Sequence, residues 1–142
     1  MTATPTAAPD LDRNGLEVLD RGECMRLLAT ATLGRIGISS GALPVILPVN
    51  FRLVGDTIVF RTSSGTKLDA ATRGAVVAFE VDAMDPMEHT GWSVMVTGMA
   101  RQVTDTAELD AVRPDRVARW APLGEDCIVA VSTDMVSGRR IL

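Results

Sequence analysis

The chain has 142 residues, about one ordinary domain, and its 14 basic and 18 acidic side chains leave a net charge of −4. That balance argues against a nucleic-acid partner, whose usual footprint is a basic face. The mix of 46% hydrophobic and 23% charged residues is that of a globular domain. The single histidine, His89, and two widely separated cysteines, Cys24 and Cys127, fall short of a zinc set or a hydrolytic triad. The expectation is two reduced thiols in a cytoplasmic protein. No apolar run approaches the ~20 residues that cross a bilayer, so no membrane is expected as a partner.

Residues 1–14 lack the basic and apolar regions of a leader and read as a flexible tail, with one domain over 15–142. Asp20 and Glu23 have capping-box spacing, and Cys24, Leu27, Leu28 and Ala31 then recur as one helical stripe. From residue 33 the period changes to two. Residues 33–39 put Gly34, Ile36 and Ile38 on one face, and after a turn at Gly41 and Pro44 the odd positions from Val45 to Leu53 alternate with Pro48, Asn50 and Arg52. Pro48 inside a strand predicts an edge or a bulge.

The pair Gly55-Asp56 predicts a hairpin into a strand over 57–62, in which Ile58 and Phe60 face away from Val59 and Arg61. A short helix over 66–73 ends at Gly74. Strands over 75–81 and 92–103 flank a loop at 82–91 that carries His89, which reads as a solvated loop residue. Asp105 and Glu108 open a helical stretch that Pro114 interrupts, and 127–135 reads as the last strand before a charged end at Arg139 and Arg140. The seven methionines read as gap-filling core. Six strands, mostly hairpin-connected, with about three short helices favour a small antiparallel barrel over a doubly wound α/β sheet.

The segment Phe60-Arg61-Thr62-Ser63-Ser64-Gly65-Thr66-Lys67 leaves a strand, crosses small hydrogen-bonding residues and enters a helix N-terminus. Unpaired amides, a helix dipole and small side chains suit such a place to an anion, with Arg61 as a planar cation and Lys67 as a point charge. Lys67 is the only lysine in the chain. The spacing is neither a Walker A loop nor GxGxxG. A helix cap at Ser64 or Thr66 with two solvated cations explains the same residues equally well.

The order LGRIGIS, LPVILPVNF, GDTIVFRTSSGTK and GWSVMVTGMARQV resembles the pyridoxamine 5'-phosphate oxidase-like flavoproteins, in particular their short actinobacterial-type branch, from about residue 16 to the end. The resemblance implies a mainly β fold with peripheral helices, a six-stranded antiparallel split barrel pairing as a homodimer with FMN at the interface. It carries Arg61, Thr62, Ser63 and Lys67 onto the cofactor phosphate. It carries Pro48, Val49 and Asn50 onto the strand whose backbone follows the isoalloxazine edge, and Trp92 and Ser93 onto an element reaching the flavin from the partner subunit. The implied activity is an oxidoreductase acting on a small molecule. Alternatives on the same fold are an 8-hydroxy-5-deazaflavin-dependent reductase, whose acidic tail would need arginines such as Arg52, Arg73 or Arg101, and a non-enzymatic flavin- or haem-binding module. The chain ends in Arg139-Arg140-Ile141-Leu142 and has no tyrosine. The vitamin B6 oxidases carry an arginine-x-histidine element and use tyrosines, so the resemblance does not extend to their substrate.

Overall fold

The computed structural model describes residues 8–112 and 126–142. In chain order these form β1 (Glu17–Leu19), α1 (Arg21–Thr30), β2 (Leu33–Ser40), β3 (Leu43–Val54), β4 (Thr57–Ser63), α2 (Lys67–Ala71), β5 (Ala75–Asp85), β6 (Thr90–Gln102), α3 (Thr106–Val112), β7 (Asp126–Val131) and β8 (Met135–Ile141). The strands pair antiparallel in the order β1-β8-β6-β5-β2-β3-β4-β7, and a further β6–β7 pairing closes six of them into a barrel. The expected six-stranded antiparallel barrel is present. Strands β8 and β1 extend it beyond β6.

The caps form as their spacing predicts. Asp20 Oδ1 accepts the Glu23 N–H at 2.8 Å, and Asp105 Oδ2 accepts the Glu108 N–H at 3.1 Å. The Glu23 carboxylate instead bridges Arg26 and, at 2.5 Å, Arg140, tying α1 to β8. Pro114 and residues 1–7 of the expected tail lie outside the described residues. Inside the barrel, Ile36, Ile58, Phe60, Phe79, Val94 and Val96 are fully buried, and Phe79 meets Phe51 edge-on at 4.9 Å. Leu27 and Leu28 of α1 join this core, with Leu68 and Ala71 of α2 packed against it. Val59 is buried too, in a second cluster with Val103, Val112, Ile128 and Ala130. Strand β4 is therefore covered on both faces, the outer one partly by α3.

The expected last strand over 127–135 is instead two, because the chain bends at 132–134 and returns along β6. The charged end belongs to β8. Its arginines carry no apolar alternation because their ends are ion-paired, Arg139 with Asp12 at 3.1 Å and Arg140 with Glu17 at 3.2 Å. The expected loop over 82–91 shrinks to the turn 86–89, since β5 and β6 stay paired out to Asp85 and Thr90. That ribbon is exposed on both faces from Asp82 to Asp85, so burial leaves no pattern to read there.

Barrel closure requires β6 to change partners on one edge. Gly91 to Thr97 pair with β8, and Ala100 to Gln102 with β7. At the change-over Ser132 N–H donates to the Met99 carbonyl at 3.1 Å, and Met99 N–H donates to Ser132 Oγ at 2.9 Å. A Cβ on Gly98 would stand 1.7 Å from the Ser132 carbonyl oxygen. Gly98→Ala is expected to destabilise the fold by about 3 kcal/mol, because only a backbone shift relieves the clash. Thermal unfolding with a midpoint within a degree of the parent protein would contradict this.

Candidate functional site

Strands β3 and β4 leave a two-residue turn at Gly55 (φ 62°) and Asp56, pair from Val54↔Thr57 to Phe51↔Phe60, and then part. Beyond that point β3 keeps β2, with Leu33↔Asn50 through Ser40↔Leu43, whereas β4 pairs with β7, with Arg61↔Ile128 through Ser63↔Asp126. The Phe51 N–H donates to the Thr32 carbonyl across from it, which fixes the parity. Odd positions of β3 bond to β2, and the backbone groups of Pro44, Ile46, Pro48 and Asn50 point to the side that β4 has left. Among the described residues no strand covers 43–50 on that side. Pro48 thus occupies an edge, as expected, though within a strand that is interior further along.

Pro48, Val49 and Asn50 lie on β3 where β4 has left it, Arg61, Thr62 and Ser63 lie on β4 beyond that point, and Lys67 opens α2. Val49 is a core residue whose backbone groups face β2, so it presents nothing to the split, while Pro48 is exposed. Arg61 and Thr62 face opposite sides of β4. Arg61 is half-buried on the outer side, and Thr62 is buried and directed toward α2. There its hydroxyl meets Thr66 Oγ1 at 3.2 Å. Thr66 Oγ1 donates to the Ser63 carbonyl at 2.9 Å and accepts the Asp69 N–H at 3.1 Å, so Thr62 is the donor between the two hydroxyls. Thr66 is the N-cap of α2.

Helix α2 has only five residues, and Asp69 stands in its first turn, so its dipole adds little to anion binding. Asp69 itself, which motif reading passed over, is 3% exposed. It accepts the Gly65 N–H at 2.8 Å and a forked contact from Arg73 at 3.0 and 3.3 Å. The Arg73 guanidinium first, and the Gly65 amide second, hold its carboxyl below the ordinary range. The spacing Thr66-x-x-Asp69 with Arg73 four residues on was the available signal.

Trp92 and Ser93 are not at the split. They pair with Arg140 and Arg139 of β8 and with Ala83 and Asp82 of β5. Strands β5 and β2 lie between them and β3. Half-buried, Trp92 lines a groove of about 270 Å³ with Leu16, Met84, Ser93, Arg139 and Ile141. Arg139 and Arg140 are turned to their carboxylate partners, and His89 sits exposed in the β5–β6 turn at φ 53°.

The family model for pyridoxamine 5'-phosphate oxidase matches residues 20–140. The chain belongs to the pyridoxamine 5'-phosphate oxidase family. It is 40% identical over 148 residues to the uncharacterized protein Rv0080 of Mycobacterium tuberculosis, covering 96% of this chain and 91% of that protein. The FAD-binding protein of Mycobacterium smegmatis is 36% identical, with a TM-score of 0.77 over 88% of this chain and 99% of its own. An FAD-binding protein of Mesorhizobium loti, at 19% identity, shares the fold, with a TM-score of 0.74 over 89% of this chain and 99% of its own.

This family member also carries an apolar outer face on β3, β2, β5, β6 and β8. Ile46 is 72% exposed and lies in register with Gly37, Ala78, Thr97 and Met135; Val76 lies opposite Met99, and Met95 opposite Glu80. The methionines expected in the core are mostly here or on the ribbon: Met84, Met87, Met95, Met99 and Met135 are exposed, and Met25 packs against the core. Arg35 sits within this face, 3.4 Å from both Glu80 and Asp82. Burial first, then the hydrogen bond and charge of Asp82, push Glu80 up to about 7 against the pull of Arg35.

A raised carboxyl favours folding below the pKa of the unfolded chain, near 4.5, and that advantage is lost as pH rises through about 7. Glu80→Gln is expected to raise the melting midpoint relative to the parent protein at pH 8 and to leave it unchanged at pH 4, the size being reduced by solvent screening at a half-exposed site. A midpoint difference independent of pH would sink this assignment.

Proposed function

We propose that the chain is an FMN-dependent oxidoreductase acting on a small molecule, with the flavin held between two copies of the chain. The observation that carries the reading is the split itself, where a proline-bearing strand edge, unpaired among the described residues, stands beside a loop with two cations. The residues there fit the group. Arg61 and Lys67 supply charge for a phosphate monoester, with the hydroxyls of Ser63 and Ser64 close in the loop. The outward backbone groups of Ile46, Pro48 and Asn50 supply acceptors and a few donors for the edge of a planar heterocycle. When bound, the flavin supplies the hydride or electron transfer. The chain's own residues bind and orient it, which suits a protein with so few acid–base side chains near the site.

The FAD-binding relative from Mycobacterium smegmatis supports a flavin, since FMN and FAD share the ribityl 5'-phosphate. We favour FMN because the clamp has cations for one phosphate. Arg73 is committed to Asp69, Arg101 to Glu108, and Arg52 donates to the Val112 carbonyl at 3.2 Å. The same three commitments weigh against the acidic tail of a deazaflavin. Within one copy, β5 and β2 separate Trp92 and Ser93 from β3. Together with the apolar face this favours a homodimer in which the second copy brings them to the flavin.

Lys67→Ala is expected to give folded protein with flavin affinity lowered about 10- to 150-fold, the equivalent of one charge-assisted contact at about 1.5–3 kcal/mol. The visible spectrum after addition of FMN and desalting reads the outcome, with FAD run in parallel. Full FMN occupancy on dilution would remove Lys67 from the clamp.

Ile46→Glu places a charge at the centre of the apolar face. It is expected to convert a dimer to a monomer by sedimentation and to lower flavin retention at the same time. A wild-type protein that sediments as a monomer while holding FMN would refute the shared site.

A further inference from the structure

Asp69 is the only buried carboxylate among the described residues. Burying a charge is expensive unless it is paired, and the partners here are informative. Gly65 and Arg73 are both exposed, whereas a third partner, the Cys127 thiol of β7, is buried and ties the carboxylate to the barrel wall. What the bond from Gly65 fixes is the course of the loop. Gly65 is held at φ +81°, a left-handed conformation, with its N–H drawn inward to Asp69 rather than outward. Thr66 is fixed from the same side by its bond from the Asp69 N–H. The residues on either side, Ser63, Ser64 and Lys67, are those that would meet a phosphate. A bare carboxylate two residues from Lys67 would also repel that phosphate, and the Arg73 fork cancels its charge.

We infer that Asp69 is a positioning residue for phosphate recognition, which shapes the loop 63–67 through Gly65 and, paired with Arg73, leaves the charge of Lys67 available to the ligand. This rests on the phosphate reading of the split given above. Asp69 touches no ligand in this scheme. Its effect must therefore follow the phosphate and not the flavin ring, which separates it from a general structural role.

The test compares FMN with riboflavin, which has the same ring and no phosphate, by quenching of flavin fluorescence on the flavin-free protein. The parent protein is expected to prefer FMN. Asp69→Ala is expected to weaken FMN binding about tenfold or more while riboflavin binding stays within about twofold, and Asp69→Asn to recover part of the loss. Gly65→Ala gives an independent handle should Asp69→Ala fail to fold. Its Cβ would meet nothing within 4 Å, so it acts only on the backbone conformation, and the same selective loss of FMN is expected. A parent protein without preference for FMN overturns the phosphate reading and this inference together. A preference that survives in Asp69→Ala, or in Gly65→Ala where the former does not fold, overturns the role of Asp69 alone.

Discussion

Everything in this fold depends on how one edge of β6 is shared. A strand of thirteen residues, paired with β5 along its other side, gives seven positions to β8 and three to β7. The change-over at Gly98 lets β7, one end of the sheet, pair back onto β6 and close the barrel. Ser132 backs against that glycine and bonds to both backbone groups of Met99, so the chain turns there and nowhere else. The same event sends 135–141 back along β6, where Arg139 and Arg140 anchor Asp12, Glu17 and Glu23 of the N-terminal segment.

Closure on one side and opening on the other are linked. Because β7 is drawn to β6, it also takes β4 with it through six paired positions, and β3 is left with β2 alone. The split between β3 and β4 is the complement of the seam between β6 and β7. The loop that follows β4 is tied down by hydroxyls and one buried carboxylate rather than by a sheet.

Much of this was legible in the chain. Alternation placed β2, β3, β4 and β6, capping spacings placed α1 and α3, and the small residues around Gly65 marked the loop. The strands that were missed share a cause. Residues 137–140 and the ribbon beyond Asp82 are polar or exposed on both faces, so no period-2 burial pattern exists to be seen. The buried face of β4 at Val59 depends on contacts from β7 and α3, far along the chain. Asp69 illustrates the opposite case: the signal was local and correct in spacing, yet its burial is a tertiary fact. The methionines misled for a related reason, since a polarizable, flexible side chain suits a face awaiting a partner as well as it suits a core.

The prolines of β3 have a consequence for the open edge itself. An open edge of eight residues is a template on which a stray strand from another molecule can add, because it offers donors and acceptors at every second position. On this edge Pro44 and Pro48 delete two of the four outward donors and keep their carbonyls. At both prolines an incoming strand's carbonyl would face a ring with no donor to offer. The gap can therefore stay open, protected from fibril-like addition by chemistry that costs the barrel no pairing of its own.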